Sequence, residues 1–371
     1  CGMKDVAYFI SSCLSETEWA KREQNILKHY FQTLRKALST DINGEALETE
    51  WRELYRFAIA DFQRFILGWS PHHSKNNPYT QQITNAVIEQ VQTELLTVAK
   101  EAAKMAGAYI LSKWQGTFSI QSKGMPSEAA DIVTEVDEQA QSIILQHLAS
   151  TTTRYDLGLL AEEGESDDSR FEKHAFWTID PLDGTWFFAH QQTGFAVSIA
   201  FVLQSGQSIL GVVYDPVSSR LLAGGIQTAQ NTPDTTPTSK HQITLIVDRG
   251  FEKHPWHPLL STTFTIVYIG GAVMNGMGLL NHRRAFYMKP PKKRQGGCAI
   301  WDLAGIARII ENHGGEAVCF DGTPLPLNRP YEYFNDLGFI FTSPGLSYRE
   351  VIKSLKSLSL PTLDVDCFLS E

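Results

Sequence analysis

The sequence predicts an α/β (α+β) fold, a layered sandwich of alternating helix and sheet layers, behind an all-helical N-terminal extension. Two observations predict it. Up to about residue 90 the apolar residues recur only at helical spacing, and beyond that point strand-like runs alternate with helical ones. The expected division is a helical extension over 1–88 and an α/β domain over 89–371.

In the extension, Trp19, Ile26, Leu27, Tyr30, Leu34 and Leu38 predict a helix from Glu16 to Leu38. Trp51, Leu54, Tyr55, Ala58, Ile59, Phe62 and Phe65 form one face of a second helix, Thr49 to Leu67, with Gly68 as its stop. The turn-rich stretch Ser70 to Thr80 reads as a linker or surface loop. A third helix is expected from Glu94 to Lys113, with Leu95, Val98, Ala99, Ala102, Ala106 and Tyr109 facing inward. Strands are expected at Phe176–Ile179, Ala196–Leu203 and Leu210–Tyr214. Helices alternate with them at Glu138–Leu148 and Trp301–Asn312, the latter running into Gly314-Gly315 as a C-terminal cap. Neither an internal repeat nor a low-complexity tract interrupts this order.

Bulk properties exclude several classes. Of the 371 residues 43% are hydrophobic and 20% charged, ordinary values for a globular chain. No apolar run approaches the roughly 18 residues needed to span a bilayer, so no membrane association is expected. The opening CGMKDVAYFI lacks the basic and long apolar regions of a signal peptide. Five scattered cysteines without a C-x-x-C pair suggest neither a disulfide framework nor a zinc ribbon, and a cytoplasmic location is the expectation. A net charge of −9 argues against a nucleic-acid polymer as partner, which would require a basic face. The charge is uneven, however. Nine acidic residues lie between Asp156 and Asp183, and six basic ones between Arg283 and Arg294.

Four separated segments carry the chemistry: Asp131-Ile-Val-Thr-Glu-Val-Asp137, Ala161-Glu162-Glu163-Gly164, Ile179-Asp180-Pro-Leu-Asp183-Gly184-Thr185 and Trp301-Asp302. Each has a structural reading. Thr134 and Asp137 form a capping-box pattern before a helix. Glu162-Glu163 fits a solvated acidic loop, and Asp302 suits the positive end of a helix dipole. The third segment is more demanding. A strand runs into Asp180, then Pro181 and Gly184 force a tight turn, and a helix is expected from Thr185. Two carboxylates three residues apart at such a turn can address one hard cation, leaving positions for water and a phosphate. The N–H groups of Gly184 and Thr185 at a helix start suit phosphate oxygens. A string such as DPLDGT arises by chance on the order of once in tens of millions of positions.

At these residues the chain resembles the inositol monophosphatase family, part of the lithium-sensitive phosphatase superfamily that includes 3′(2′),5′-bisphosphate nucleotidase-like members. The acidic pair, the D-P-x-D-G-T segment, the W-D segment and the upstream D-x-V-T-x-x-D segment all occur in the family order. Gly194-Phe-Ala-Val-Ser-Ile-Ala200, Gly211-Val-Val-Tyr-Asp-Pro216 and Gly314-Gly315 agree as well. The resemblance covers roughly residues 90 to 345. It implies a phosphomonoesterase using two to three Mg²⁺ ions and an activated water, without a phosphoenzyme. Glu162, Asp180 and the Leu182 carbonyl would hold one ion. Asp180, Asp183 and Asp302 would hold a second, and a third would lean on Glu162. Thr185 and Asp137 would orient and deprotonate the water, with Glu162 assisting. Asp183, Gly184, Thr185 and Asp302 would line the substrate.

The stretch before Trp301-Asp302 departs from the simple inositol monophosphatases, which are shorter there and carry an acidic residue for substrate hydroxyls. The nearest counterpart here is Gln295, preceded by Lys289, Lys292, Lys293 and Arg294. A solvated basic loop is one reading. The other is that Lys292, Lys293 and Arg294 meet a second anionic group, favouring a 3′,5′-bisphosphorylated nucleotide or another doubly anionic metabolite. An inositol or sugar monophosphate is the alternative substrate, and a non-catalytic phospholigand-binding or scaffold protein the alternative class. His254-Pro-Trp-His257 and His72-His73 read as surface residues, and Cys298 as a small buried thiol. In the extension, Lys4-Asp-Val-Ala-Tyr-Phe-Ile10, Trp51-Arg-Glu-Leu-Tyr-Arg-Phe57 and Gly68-Trp69 resemble the C-terminal tail of aminoglycoside-phosphotransferase-like kinases. That resemblance implies a kinase remnant without kinase activity, retained as a packing cap or as a homodimer interface.

Overall fold

The computed structural model describes residues 2–116, 118, 120–122, 132–164, 168–225, 243–293, 296–358 and 360. The chain divides into two compact units, Cys1–Glu94 and Leu95–Glu371. The division falls inside a helix, as does the 88/89 position expected from the sequence.

The first unit is helical: α1 (Gly2–Cys13), α2 (Glu16–Ala37), α3 (Gly44–Trp69) and the start of α4 (Pro78–Lys113). Met3, Ala7 and Ile10 from α1 meet Trp19, Leu27 and Phe31 from α2 and Tyr55 and Ile59 from α3. Large side chains buried this way contribute about 1.5–3 kcal/mol each. Inside this core Glu23 accepts from Trp19 Nε1 (2.9 Å), Tyr55 OH (3.0 Å) and Tyr79 OH (2.8 Å), which satisfies the buried carboxylate. The expected loop from Ser70 is shorter than its sequence suggests. Pro78 opens α4 with a ring that suits a first helical position, and Asn77 Oδ1 accepts from Thr80 N at 3.0 Å. The helix therefore begins well before Glu94.

The second unit is built in layers. Its first sheet has the order β3-β4-β5-β6-β7, formed by Gly158–Ala161, Ala175–Asp183, Ala196–Leu203, Ser208–Asp215 and Arg220–Gly224. Its second sheet has the order β11-β12-β10-β8-β9, formed by Ala317–Cys319, Phe339–Thr342, Ala285–Lys289, Thr244–Val247 and Thr265–Tyr268. Short strands β1 (Ile120–Ser122) and β2 (Ile132–Thr134) pair separately. Helix α5 (Glu135–Tyr155) packs on β4, and α6 (Ser169–Glu172) packs beside it; α7 is the short Thr185–Ala189. Between the sheets lie α9 (Ala272–Leu279) and α10 (Ile300–Asn312). One core joins Ala196, Ala200 and Val213 of the first sheet through Ile306 and Met277 to Tyr287, Phe339 and Phe341 of the second. The far face of the second sheet, with Leu245, Phe286, Met288 and Ile340, is covered by α8 (His257–Thr263) and α11 (Tyr348–Ser357).

The expected strands and helices of this unit are all present, with β4 and α5 longer than predicted. The strands of the second sheet were not individually legible, because three to five residues are too few to display a period. Among the described residues no helix is long and apolar enough to cross a membrane.

Candidate active site

The site forms where β4 ends. Its ladder with β5 is regular from Ala175 to Asp180, then shifts: Asp180 opposes Ser198, whereas Asp183 opposes Ala196. Three residues of β4 are thus matched by two of β5. Side chains three apart on a regular strand would point to opposite faces, and the bulge brings them round to the same side. Pro181, which has no N–H to give to a ladder, sits in that irregular step. Gly184 then turns the chain with φ +83°, a conformation a side chain would resist, and a Cβ there would lie 2.7 Å from the Gly194 carbonyl oxygen.

Asp180 and Asp183 consequently converge with Asp302 from α10. Each offers a carboxylate oxygen, and the three oxygens lie within 4.8 Å of one another, all three residues being buried. Every carboxylate is tethered by backbone. Asp180 Oδ1 accepts from Leu182 N at 2.9 Å. Asp183 accepts from Ala272 N (3.0 Å) and Val273 N (2.9 Å) at the start of α9. Asp302 Oδ2 accepts from Ala299 N at 2.6 Å, capping its own helix while facing the cluster. Asp302 thus caps its own helix, as its place at a helix start suggested, and the same side chain faces the two carboxylates of β4. Gly271 is the residue that allows α9 so near: a Cβ on it would stand 2.4 Å from Asp183 Oδ2.

Glu162 follows β3 (Gly158–Ala161), its N–H bonded to the Ile179 carbonyl at 3.1 Å. Gln141 of α5 fixes the next residue, its Oε1 accepting from Glu163 N at 3.0 Å and its amide donating to the Glu163 carbonyl. Glu162 stands outside the tight grouping of three but close enough to act on it electrostatically. Burial first, and then Glu162, Asp302 and Asp183, push the Asp180 carboxyl well above the usual range. Burial and then Asp302 do the same to Asp183, opposed by the N–H groups of Val273 and Ala272 and by the Lys289 charge. Burial chiefly raises Asp302 to about 6, with Glu162 adding to it. Neighbouring buried carboxylates cannot all ionise without a compensating cation. An all-oxygen donor set of this charge suits a hard divalent ion such as Mg²⁺.

A second group adjoins the cluster. Thr134 caps α5, its Oγ1 accepting from Val136 N at 3.1 Å, while Asp137 Oδ2 accepts from Thr134 N (2.8 Å) and Thr134 Oγ1 (2.6 Å). The capping box predicted from sequence is present. The remaining oxygen, Asp137 Oδ1, lies 3.0 Å from Thr185 Oγ1, which is also 3.0 Å from the Leu182 carbonyl. Asp137 is wholly buried. Of the basic loop, Lys292 is half-buried and Lys293 exposed, while Arg294, Gln295 and the upstream Asp131 lie outside the described residues. Cys298 is buried, as expected. Trp256 anchors the His254–His257 stretch in the core, and His72 is exposed.

A family model for the inositol monophosphatase family matches residues 91–358, which include every carboxylate of this site. The chain belongs to the inositol monophosphatase family. An inositol-1-monophosphatase of Synechocystis sp. is 29% identical over 273 residues, covering 70% of this chain and 88% of that protein. An inositol-1-monophosphatase of Bacillus subtilis is 33% identical over 129 residues, covering 35% of this chain and 46% of that protein, so the match spans about half of that relative. Among solved structures, Thermotoga maritima IMPase has the same fold, with a TM-score of 0.57 at 23% identity over 71% of this chain and 98% of that one. Membership makes the chain a phosphomonoester hydrolase of a Mg²⁺-dependent family.

Sequence reasoning missed the Gly271 approach, the α9 N–H groups and the Gln141 clamp. A G-G-A run before an apolar helix is the only local signal for the first two. The third has none.

Proposed function

We propose that Asp180, Asp183, Asp302 and Glu162 hold two to three Mg²⁺ ions and that the chain hydrolyses a phosphomonoester through a water positioned by Thr185 and Asp137. The observation that carries this reading is the convergence of three buried carboxylates within 4.8 Å beside a ready Thr185–Asp137 pair. Glu162, Asp180 and the Leu182 carbonyl would serve one ion, and Asp180, Asp183 and Asp302 a second, with a third leaning on Glu162. Bound there, Mg²⁺ would neutralise the phosphoryl oxygens and make water a better nucleophile at neutral pH.

The remaining work falls to the protein. Thr185 Oγ1 can donate its proton to Asp137 Oδ1 and accept one from a water in turn, so the water's proton passes to a carboxylate fixed by two other hydrogen bonds. The Gly184 and Thr185 N–H groups and the Asp183 and Asp302 side of the pocket would orient the phosphate. No protein nucleophile is required. A doubly anionic substrate, such as a 3′,5′-bisphosphorylated nucleotide, keeps support from Lys292, which lines a cavity in this unit.

Phosphate release from a generic phosphomonoester by the full chain, with Mg²⁺ and then with excess chelator, tests the reading. Turnover that the chelator abolishes is expected. Binding of phosphorylated ligands without turnover would instead favour a scaffold.

A further inference from the structure

A cavity of about 140 Å³ opens beside the ends of β8 and β10 and the stretch that leads into α10. Asp248, Lys289, Lys292, Cys298, Phe251 and Phe334 are among its walls. On one side Asp248 accepts from Asn275 Nδ2 at 3.0 Å, and Asn275 belongs to α9, whose first N–H groups hold Asp183. On the other side Cys298 directly precedes Ala299, whose N–H holds Asp302. The Lys289 charge reaches both Asp183 and Asp302, opposing the rise in each. Residues of the cavity wall are thus linked, by hydrogen bonds or along the chain, to the groups that hold Asp183 and Asp302.

Its charge is arranged with some care. Lys289 shares the inward face of β10 with Tyr287, and its Nζ lies 2.6 Å from Asp248 Oδ2. Asp248 also accepts from Tyr287 OH at 2.7 Å. With three donors on it, Asp248 is a fixed anchor that sets where the Lys289 ammonium stands. An ammonium has three N–H groups, so that contact leaves donors for Cys298 and for the cavity. Lys292 is placed by its backbone. Its N–H donates to the Asn335 carbonyl at 2.6 Å, and Asn335 Nδ2 donates to the Lys292 carbonyl at 3.3 Å. Its ammonium folds over Gly297, where a Cβ would stand 3.5 Å from Nζ. His254, also in the wall, is held down to about 4 by burial and adds no charge at neutral pH. Among the described residues of its wall, Lys289, Lys292 and Asp248 carry the charge.

Its size limits the occupant. Whole-ligand pockets usually run to about 300–1,000 Å³, whereas a cavity of roughly 150 Å³ takes something like one benzene ring. There is room for one small group, not for a nucleoside.

We propose that this cavity is a subsite for a second anionic group, phosphate or carboxylate, carried by the phosphomonoester substrate and held by Lys289 and Lys292, with Asp248 positioning Lys289. The inference rests on the phosphatase reading above and names its substrate class.

The test compares kcat/KM of the full chain with Mg²⁺ on glucose 1-phosphate, glucose 1,6-bisphosphate and glucuronic acid 1-phosphate, which differ only in the group at C6. Wild type should favour one or both anionic substrates over glucose 1-phosphate by about tenfold, the order expected of a charge-assisted contact. The preferred one identifies the anion. Lys289→Met and Lys292→Ala should each lower that ratio by about tenfold, and Lys292→Glu should push it below one. Lys292→Ala, on a half-buried loop, serves should Lys289→Met fail to fold. Equal kcat/KM on all three substrates, or a ratio unmoved by the lysine variants, overturns the subsite alone. Absence of turnover on p-nitrophenyl phosphate as well overturns the phosphatase reading and the subsite with it.

Discussion

Asp137 shows how one residue can satisfy a local rule and a distant task together. Its Oδ2 closes the capping box of α5, and its Oδ1 meets Thr185, 48 positions away in sequence. Thr185→Ala should therefore lower kcat by about 10²–10⁴-fold with little change in KM, because its hydroxyl acts on the water. Steady-state kinetics at saturating Mg²⁺ check this, and a KM effect with kcat untouched would refute the assignment. Gly271→Ala should act differently, weakening the apparent Mg²⁺ affinity, because the added methyl would displace Asp183 from 2.4 Å away. A Mg²⁺ titration of activity unchanged from wild type would contradict that role. The two carboxylates of β4 were legible because Asp180 and Asp183 lie with Pro181, Gly184 and Thr185 in one short string. Gly271 was not, since its partner lies far along the chain and no local pattern marks a close approach.

The bulge in β4 is the element that turns a strand end into a cluster of carboxylates. It gathers Asp180 and Asp183 beside Asp302 at the start of α10, in surroundings that raise all three carboxyls. A raised carboxyl binds its proton more tightly in the folded chain than in the unfolded one. Between the unfolded value near 3.8 and the folded value of about 6, the folded state of Asp302 carries the excess proton. Stability of the metal-free protein should thus fall as pH rises through that window, by up to about 3 kcal/mol from this group. Above it the loss is complete. Thermal unfolding at pH 4.5 and pH 7.5, with chelator and with Mg²⁺, reads this out. Mg²⁺ should restore stability mainly at the higher pH, and Asp302→Asn should remove that group's share of the metal-free dependence. A metal-free protein whose stability rises steadily across the window, with no Mg²⁺ effect, would oppose the picture. The bulge itself was only half legible: Pro181 and Gly184 predicted a turn, but register is set by pairing with β5, which sequence spacing does not reveal.

At the scale of the whole molecule, the carboxylates, the Thr185–Asp137 pair and the lysine-lined cavity all belong to the unit Leu95–Glu371. Among the described residues, those named in the cluster, the pair and the cavity wall all lie outside the helical unit before it. Removing residues 1–77, which keeps α4 entire, should accordingly retain phosphate release, with light scattering reporting whether the extension also controls self-association. Loss of turnover in a folded truncation would give the extension a catalytic role. The layer order was legible from alternating strand and helix runs, whereas the second sheet emerged only through long-range pairing of very short strands. The central claim is that the converging carboxylates hold the cations that drive phosphomonoester hydrolysis. It is tested most directly by measuring phosphate release across one Mg²⁺ titration for the full chain and its Asp180→Asn variant. The account predicts Mg²⁺-dependent turnover in the wild type and a loss of about a hundredfold or more in the variant at every Mg²⁺ concentration. Near-wild-type turnover in a folded Asp180→Asn protein would contradict it.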